Sequence, residues 1–224
     1  MASNGDVFAA NGLGVLMWDG TGWTTVASIS STDGGTEALS MIEVAGVVYA
    51  AIESVGVLRY DTATSSALST WSSANTLHSD SITHMAVSGN QLLLGSSDNG
   101  LARFDYAAGF WLSTWTSANW LSSDTVTGVE RVGPTLYILA GEDLHSYNTT
   151  NGVFSTTYAL ATLGLANLGA SLTVWPASGG ASPAHDALLV DDGSGNLIHL
   201  SPNQTPFIEG EMSVSYTHLT LPTT

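Results

Sequence analysis

The sequence contains no cysteine, only three basic residues and no long hydrophobic run. Without cysteine, the 224-residue chain forms neither disulfide bonds nor thiolate metal sites. The three Lys and Arg residues against 19 Asp and Glu residues give a formal net charge of −16 at pH 7. A surface of that sign repels nucleic acid phosphates and anionic lipid headgroups. No apolar run reaches the ~18 residues of a membrane-spanning helix, so we expect neither nucleic acid binding nor membrane insertion in this segment.

The sequence does contain an internal repeat. Residues 56–89 and 100–133 align without a gap at an offset of 44, and 16 of the 34 aligned positions are identical. A fixed period of this length is typical of repeat architectures, in which each unit must stack on its neighbours to bury its apolar face. An aromatic residue followed by Asp or Asn marks four copies, at Trp18-Asp19, Tyr60-Asp61, Phe104-Asp105 and Tyr147-Asn148, and a fifth, weaker copy has Leu200-Ser201 at this position.

The hydrophobic pattern within each unit indicates β-strands. Short runs of aliphatic and aromatic residues are separated by turn dipeptides such as Asn99-Gly100 and Asn151-Gly152. Four strands in about 43 residues are typical of a β-propeller blade. We therefore predict an all-β chain, a β-propeller of four-stranded blades with about five blades present and the ring incomplete, hence open. The predicted units lie near residues 6–45, 46–88, 89–133, 134–185 and 186–212.

The segment 213–224 has no counterpart in any unit. Its string VSYTHLTLPT resembles a translated sequencing adapter. We therefore expect 213–224 to be a non-native, adapter-derived tail and the chain to be a metagenomic fragment of a longer protein. The alternative is a native closing strand, because apolar and polar residues alternate in this segment.

Two segments of the third unit resemble a known repeat family. GSSDNGLARFD at 95–105 and LSSDTVTGVERVG at 121–133 are similar to the two-component-regulator-type β-propeller repeat, with its G-T-x-x-G-L-x-R-Y-D and L-x-x-x-x-V pattern. The resemblance extends over about residues 6–201, although Gly95-Ser96 replaces the usual Gly-Thr. It implies a propeller fold and, as one variant, the sensing part of a signalling protein.

Two of the three basic residues occupy the same repeat position. Arg59 and Arg103 each stand directly before the aromatic-Asp mark. The structural interpretation is an ion pair or a backbone hydrogen bond that ties neighbouring blades. The functional interpretation is a group of cations that binds an anion near the propeller axis, which makes both arginines candidate ligand-binding residues.

Tryptophans provide the other ligand-binding candidates. Trp71 and Trp115 recur in the phrase S-T-W-x-S-A-N, which favours packing between blades, with a ligand-stacking surface as the alternative. Trp111 and Trp120 have no aromatic counterpart in the preceding unit. We therefore predict that these two side chains contact a ligand.

The sequence predicts no catalytic residues and no established metal site. The six histidines have no spacing typical of a metal centre. Asp191, Asp192 and Asn196 lie in a segment that loosely resembles a calcium loop, but the distal Glu of such loops is absent. Calcium is therefore the sole cofactor candidate, and an ordinary hairpin turn is the alternative interpretation.

Three functional classes stay open. The leading hypothesis is a non-enzymatic binding or interaction module of an exported or cell-surface protein, with a sensory protein as one variant and an unknown protein or glycan as ligand. The alternatives are a propeller enzyme, either a lyase or a glycan-cleaving enzyme with residues on loops, and a structural spacer. Convergence of two or more chemically active side chains in one pocket near the axis would favour the enzyme. These side chains are His84, Asp80, Asp124, Glu130 and Arg131.

Overall fold

The computed structural model describes residues 5–29, 37–159, 172–175, 187–191 and 197–200. The regular structure within these ranges is entirely β-strand. The strands, in chain order, are β1 (Val7–Asn11), β2 (Gly14–Trp18), β3 (Trp23–Ser28), β4 (Ala38–Val44), β5 (Val47–Ile52), β6 (Gly56–Asp61), β7 (Ser66–Trp71), β8 (Ile82–Ser88), β9 (Gln91–Ser96), β10 (Leu101–Asp105), β11 (Phe110–Trp111), β12 (Val126–Val132), β13 (Thr135–Ala140), β14 (Asp143–Asn148), β15 (Val153–Ala159), β16 (Leu172–Trp175), β17 (Ala187–Asp191) and β18 (Leu197–Leu200).

The strands form five antiparallel sheets in which strands adjacent in sequence are paired. We name them blade 1 (β1–β3), blade 2 (β4–β7), blade 3 (β8–β11), blade 4 (β12–β15) and blade 5 (β16–β18). Blades 2, 3 and 4 have four strands each, and three strands are described in blades 1 and 5. The prediction of an all-β, open β-propeller with four-stranded blades is confirmed.

The sheets are offset by one strand from the sequence units. Strand β4 lies in the unit 6–45 but pairs with β5 and so belongs to blade 2. Val7 pairs with Trp18 as Val48 pairs with Tyr60, so β1 is equivalent to β5. The described strands of blade 1 therefore occupy the second, third and fourth positions of a blade. The predicted unit boundary near 185 and the segment 213–224 lie outside the described residues.

The first strand of each blade packs beside the first strand of the next. Strand β4 contacts β8, β8 contacts β12, and β12 contacts β16. A hydrogen bond joins two of these strands, because the Thr83 hydroxyl donates to the Val126 carbonyl oxygen at 2.6 Å. Further along β12, a Cβ at Gly128 would lie 2.5 Å from the Leu172 Cβ. Glycine at this position therefore permits the close approach of blades 4 and 5.

A tryptophan at or just after the outer strand of blades 2 and 3 joins each of these blades to the next. Trp71 of blade 2 is 5% exposed. Its ring centre lies 4.7 Å from that of Phe104 and 4.9 Å from that of Trp111, both in blade 3. Edge-to-face pairs at these distances add about 0.5–1.5 kcal/mol to the stabilisation that burial provides.

The same contact recurs one blade further along. Trp115 of blade 3 lies 4.6 Å from Tyr147 and 4.9 Å from Phe154 of blade 4, between ring centres. We call the two aromatic residues that contact the tryptophan of the preceding blade the receiving pair. Because they are paired across strands as Tyr147 and Phe154 are, Trp18 and Trp23 are the equivalent pair in blade 1. These two side chains are 36% and 49% exposed. Burial of the receiving pair in blades 3 and 4 therefore comes from the tryptophan of the preceding blade.

Glycine recurs at the start of the third strand of blades 2 and 3, as Gly56 in β6 and as Gly100 directly before β10. Gly56 and Gly100 have φ values of +102° and +75°, a region that side chains rarely adopt. A Cβ at either position would also overlap the carbonyl oxygen of Trp71 or Trp115, respectively. The glycines thus allow the outer strand that carries the tryptophan to lie against the third strand.

Candidate functional site

The repeated arginines lie on the repeated tryptophans. The Arg59 Nε donates a hydrogen bond to the Ser69 carbonyl oxygen at 2.9 Å, and its guanidinium carbon lies 4.3 Å from the centre of the Trp71 ring. Arg103 repeats the arrangement, 4.2 Å from the Trp115 ring centre. These hydrogen bonds join strands of one blade, whereas the structural interpretation from sequence expected a tie between neighbouring blades.

Burial lowers the pKa of both guanidinium groups, opposed by a tyrosine near each. Guanidinium is so basic that both side chains nevertheless stay cationic at neutral pH. A charge held over an aromatic face contributes about 0.5–1 kcal/mol, or more where water is excluded. The contacts of Arg59 and Arg103 thus stabilise the blade edges, and a role for either in ligand binding stays a prediction.

The two candidate tryptophans have different surroundings. Trp111 is half-buried, with its ring centre 4.9 Å from that of Trp71 and 5.1 Å from that of Phe104. Trp120 is 57% exposed and stacks on Phe154 at 5.4 Å with an angle of 6° between the rings. Trp120 therefore presents aromatic surface to solvent, and ligand contact by either tryptophan stays a prediction.

Two of the five chemically active residues named from sequence come together. His84 Nε2 lies 3.6 Å from Glu130 Oε1, and both side chains are about one-quarter exposed. This pair joins the first strands of blades 3 and 4. Asp80 and Asp124 instead accept hydrogen bonds from serine amides seven residues earlier, which fixes the loops between blades. Arg131 lies elsewhere, in the groove described below.

The candidate calcium residues lie at the edge of the described chain. Asp191 ends strand β17, and Asp192 and Asn196 lie outside the described residues. Within the described ranges, no group of three or more His, Asp or Glu side chains is arranged to hold a metal ion. Calcium binding stays a prediction.

A groove of about 380 Å³ lies between blades 3 and 4. Hydroxyl and amide groups, one guanidinium and a few apolar side chains line it. On blade 3 these residues are Ser88, Gly89, Asn90, Gln91, Leu93 and Trp115. On blade 4 they are Arg131, Leu136, Tyr147, Thr149 and Thr150.

The same place between blades 2 and 3 is filled by apolar side chains. The offset of 44 pairs each groove position of blade 3 with one in blade 2, and strand pairing confirms the equivalence. Of the blade 2 equivalents, Val44, Tyr49 and Trp71 belong to a hydrophobic cluster, and Val47 packs against it. From blade 2 to blade 3, Val44 becomes Ser88, Val47 becomes Gln91 and Tyr49 becomes Leu93.

The opposite wall of the groove changes in the same way. Val87 of blade 3 corresponds to Arg131 of blade 4, and Tyr106 corresponds to Thr149. Val87 and Tyr106 both pack against the cluster between blades 2 and 3. The Tyr106 hydroxyl also donates to the Gly89 carbonyl oxygen at 2.7 Å. The blade fold therefore does not require a groove here, and substitutions on both walls create it.

Sequence reasoning missed the groove, although the aligned repeat carries the signal. The alignment of 56–89 with 100–133 places Val87 opposite Arg131, whereas the other changes in polarity that open the groove lie outside this alignment. The replacement of an apolar residue, Val87, by Arg131 at the equivalent position is the sequence signal that this position borders open space.

No family model and no curated protein sequence matches this chain. In solved structures, the chain is similar to the extracellular domain named for the hybrid two component system BT3049 from B. thetaiotaomicron. The TM-score is 0.65 at 18% identity over 92% of this chain and 28% of that one. The extracellular domain named for the one component system BT4673 of the same organism gives 0.62 at 15% identity, over 90% and 26%.

A third similar structure is BBS1N, solved in complex with ARL6DN, with a TM-score of 0.55 at 14% identity over 87% of this chain and 60% of that one. This chain spans about a quarter of the length of the two bacterial domains. At identities this low the likeness concerns the fold alone. The chain thus has a β-propeller fold of the kind found in extracellular domains of bacterial signalling proteins.

Proposed function

We propose that this chain is a non-enzymatic ligand-binding module of an extracytoplasmic, sensory protein of the two-component-regulator type. The sequence phrases at 95–105 and 121–133 support the family, and the extracellular domains with a similar fold support the location. The described residues include no helix long and apolar enough to span a membrane. A small molecule or glycan bound between blades 3 and 4 is the proposed signal.

The groove between these blades carries the proposal. Its volume of about 380 Å³ falls within the ~300–1,000 Å³ range of small-molecule sites. Tyr147 supplies an aromatic surface, while side chains such as Asn90 and Thr150 supply hydrogen-bonding groups. The exposed lining is more polar than apolar, so these groups would orient a polar ligand. The filled interface between blades 2 and 3 is the internal comparison.

An enzyme is the second candidate function, and the His84–Glu130 pair favours it. A histidine 3.6 Å from a carboxylate could transfer protons in a lyase reaction. Glycan hydrolysis usually needs two carboxyl groups about 5–10 Å apart, whereas the His84–Glu130 pair supplies one. Loss of product formation in His84→Ala, in an assay with polysaccharide substrates, would support the enzyme over the binding module.

Closing the groove tests the proposed function. The variant Leu93→Tyr/Thr149→Tyr installs the two tyrosines that occupy the equivalent positions at the neighbouring interface. We expect the full chain to bind at least one member of a panel of monosaccharides, disaccharides, amino acids and organic acids in ligand-observed NMR. The double variant should lose that binding because the added rings occupy the groove.

A matched variant outside the groove separates occlusion from general damage. Trp23→Ala removes an exposed ring of blade 1, which is 49% exposed, and should leave binding in the groove unchanged. Far-UV circular dichroism should report the same β-structure for all three proteins. Equal binding by the wild-type chain and the double variant would contradict the proposal, as would the absence of binding across the whole panel.

A further inference from the structure

The charge of the groove is opposite in sign to the charge of the chain. The chain has 19 acidic and three basic residues. Among the described residues that line the groove, Arg131 is basic and none is acidic. Glu130, the neighbour of Arg131 in sequence, lies 3.6 Å from His84 and is not among the lining residues. One of the three basic residues of this acidic protein thus lies in the groove, and no carboxylate lines it. This local positive charge favours the binding of an anion over a cation.

Arg131 differs from the other two arginines in its contacts. The guanidinium groups of Arg59 and Arg103 lie on tryptophan rings and bond to serine residues of their own blades. Arg131 is exposed, and its Nε donates to the Gly133 carbonyl oxygen at 2.9 Å. This bond holds the side chain at the groove, while its terminal nitrogens make no hydrogen bond to the described part of the chain. A planar guanidinium held this way matches the two oxygens of a carboxylate.

The other residues that line the groove indicate which ring, which polar groups and what size the ligand would have. Leu93, Leu136 and Trp115 border the groove but are only 1%, 1% and 4% exposed, so the partly exposed Tyr147 is the aromatic surface of the lining. An aromatic face favours a ring with a flat or apolar face. Asn90 and Gln91 can donate and accept hydrogen bonds, and the Thr149 hydroxyl, which donates to the Pro134 carbonyl oxygen at 2.8 Å, can accept one. A volume of about 380 Å³ is near the lower end for ligand sites. The space therefore suits a single-ring molecule or a small oligomer end better than a long chain.

We propose that the ligand of this groove is a small organic carboxylate, whose carboxyl group pairs with Arg131 and whose ring lies against Tyr147. This inference rests on the proposed function, since it names the class of ligand for the same groove. A sugar acid and an aromatic acid share this chemistry. The experiment below distinguishes them by the ring that each probe carries.

Matched probes test the charge directly. We would measure binding of D-glucuronate against D-glucose, and of phenylacetate against phenylacetamide, to the full chain by ligand-observed NMR at millimolar probe concentration. The carboxylate of at least one pair should bind, and its neutral partner should bind about ten- to a hundredfold more weakly, the effect of one charge-assisted hydrogen-bonded pair. The pair that responds identifies the ring.

Two variants assign the effect to Arg131. Arg131→Gln should weaken carboxylate binding by about ten- to a hundredfold, and Arg131→Lys should recover part of the loss because it restores the charge without the planar fork. Arg59→Gln alters an arginine of blade 2, which lies on Trp71 and outside the groove, and should leave probe affinity unchanged. Arg131 is exposed, so Arg131→Gln should fold as the wild-type chain does, which circular dichroism checks.

The outcomes separate this inference from the proposed function. If neutral and charged members bind equally, and Leu93→Tyr/Thr149→Tyr abolishes both, the groove is a binding site and the carboxylate inference is overturned. If Arg131→Gln binds the carboxylate as the wild-type chain does, the inference is overturned as well. If no probe binds, the inference fails, and binding by other members of the wider panel then decides the proposed function.

Discussion

Truncation of Trp115 should cost more stability than any exposed aromatic truncation in this chain. The ring is 4% exposed and contacts Tyr147 and Phe154 of the next blade at 4.6 and 4.9 Å, with Arg103 over its face at 4.2 Å. Removing a buried Trp side chain costs about 3–5 kcal/mol. Because Trp115→Ala also removes the partner of a half-buried guanidinium, we expect a loss of about 4 kcal/mol.

Urea unfolding followed by far-UV circular dichroism measures this loss without relying on tryptophan fluorescence. Trp120→Ala is the matched control, since Trp120 is 57% exposed and stacks on Phe154. Trp120→Ala should lower the free energy of unfolding by about 1 kcal/mol or less, which is the contribution of one aromatic pair. A loss of 4 kcal/mol is a large fraction of a domain stability of about 5–15 kcal/mol. Similar costs for the two variants would refute the claim that Trp115 joins blades 3 and 4.

A double-mutant cycle with Arg103→Met isolates the contact between the guanidinium and the ring. The coupling energy between Arg103 and Trp115 should be about 0.5–2 kcal/mol, because the charge is partly shielded from water. A coupling energy near zero would mean that Arg103 stabilises the blade only through its hydrogen bonds to Ser113.

Two further predictions concern backbone geometry and pH. Gly100→Ala should cost about 2 kcal/mol or more beyond Gly109→Ala in urea unfolding. Both glycines have positive φ, +75° and +77°, but only at Gly100 would the new Cβ overlap the Trp115 carbonyl oxygen; equal costs would contradict this reason. Burial lowers the pKa of His145 below its ordinary value, against a smaller opposing effect of Asp143. As the pH falls, the unfolded chain therefore takes up this proton at a higher pH than the folded chain does. The free energy of unfolding should be at its full value above about pH 6.5 and decrease as the pH falls below that value. His145→Gln should flatten this slope in unfolding curves measured from about pH 8 to about pH 5, and an unchanged slope would show that another group titrates.

The fold could be predicted because the repeat records packing directly. Trp71 and Trp115 recur at one position because each fills the same space against the next blade. Gly56 and Gly100 recur because no side chain fits at their positions. The offset of one strand between units and sheets was not accessible in the same way, since the repeat period is the same wherever a unit is taken to begin.

The candidate site was harder to predict, because it depends on contacts between distant segments. His84 and Glu130 stand 46 positions apart in the sequence, and they meet because β8 and β12 are neighbours around the axis. By itself, Arg131 is indistinguishable in the sequence from an ordinary surface cation. Its role at the groove becomes apparent only when it is compared with the equivalent residue, Val87, which packs against an apolar cluster. Ligand-site prediction in repeats therefore benefits from a search for positions where one copy becomes polar.

Thiol labelling tests most directly whether the space between blades 3 and 4 is open. The chain has no cysteine, so a single introduced thiol is the only reactive site. Ser88 lines the groove and is partly exposed, and its equivalent in the filled cluster, Val44, is buried at 6% exposure. In the folded chain, a small methanethiosulfonate reagent should modify Ser88→Cys much faster than Val44→Cys. Equal labelling rates in the folded state would contradict a groove that is open at one interface and filled at the other.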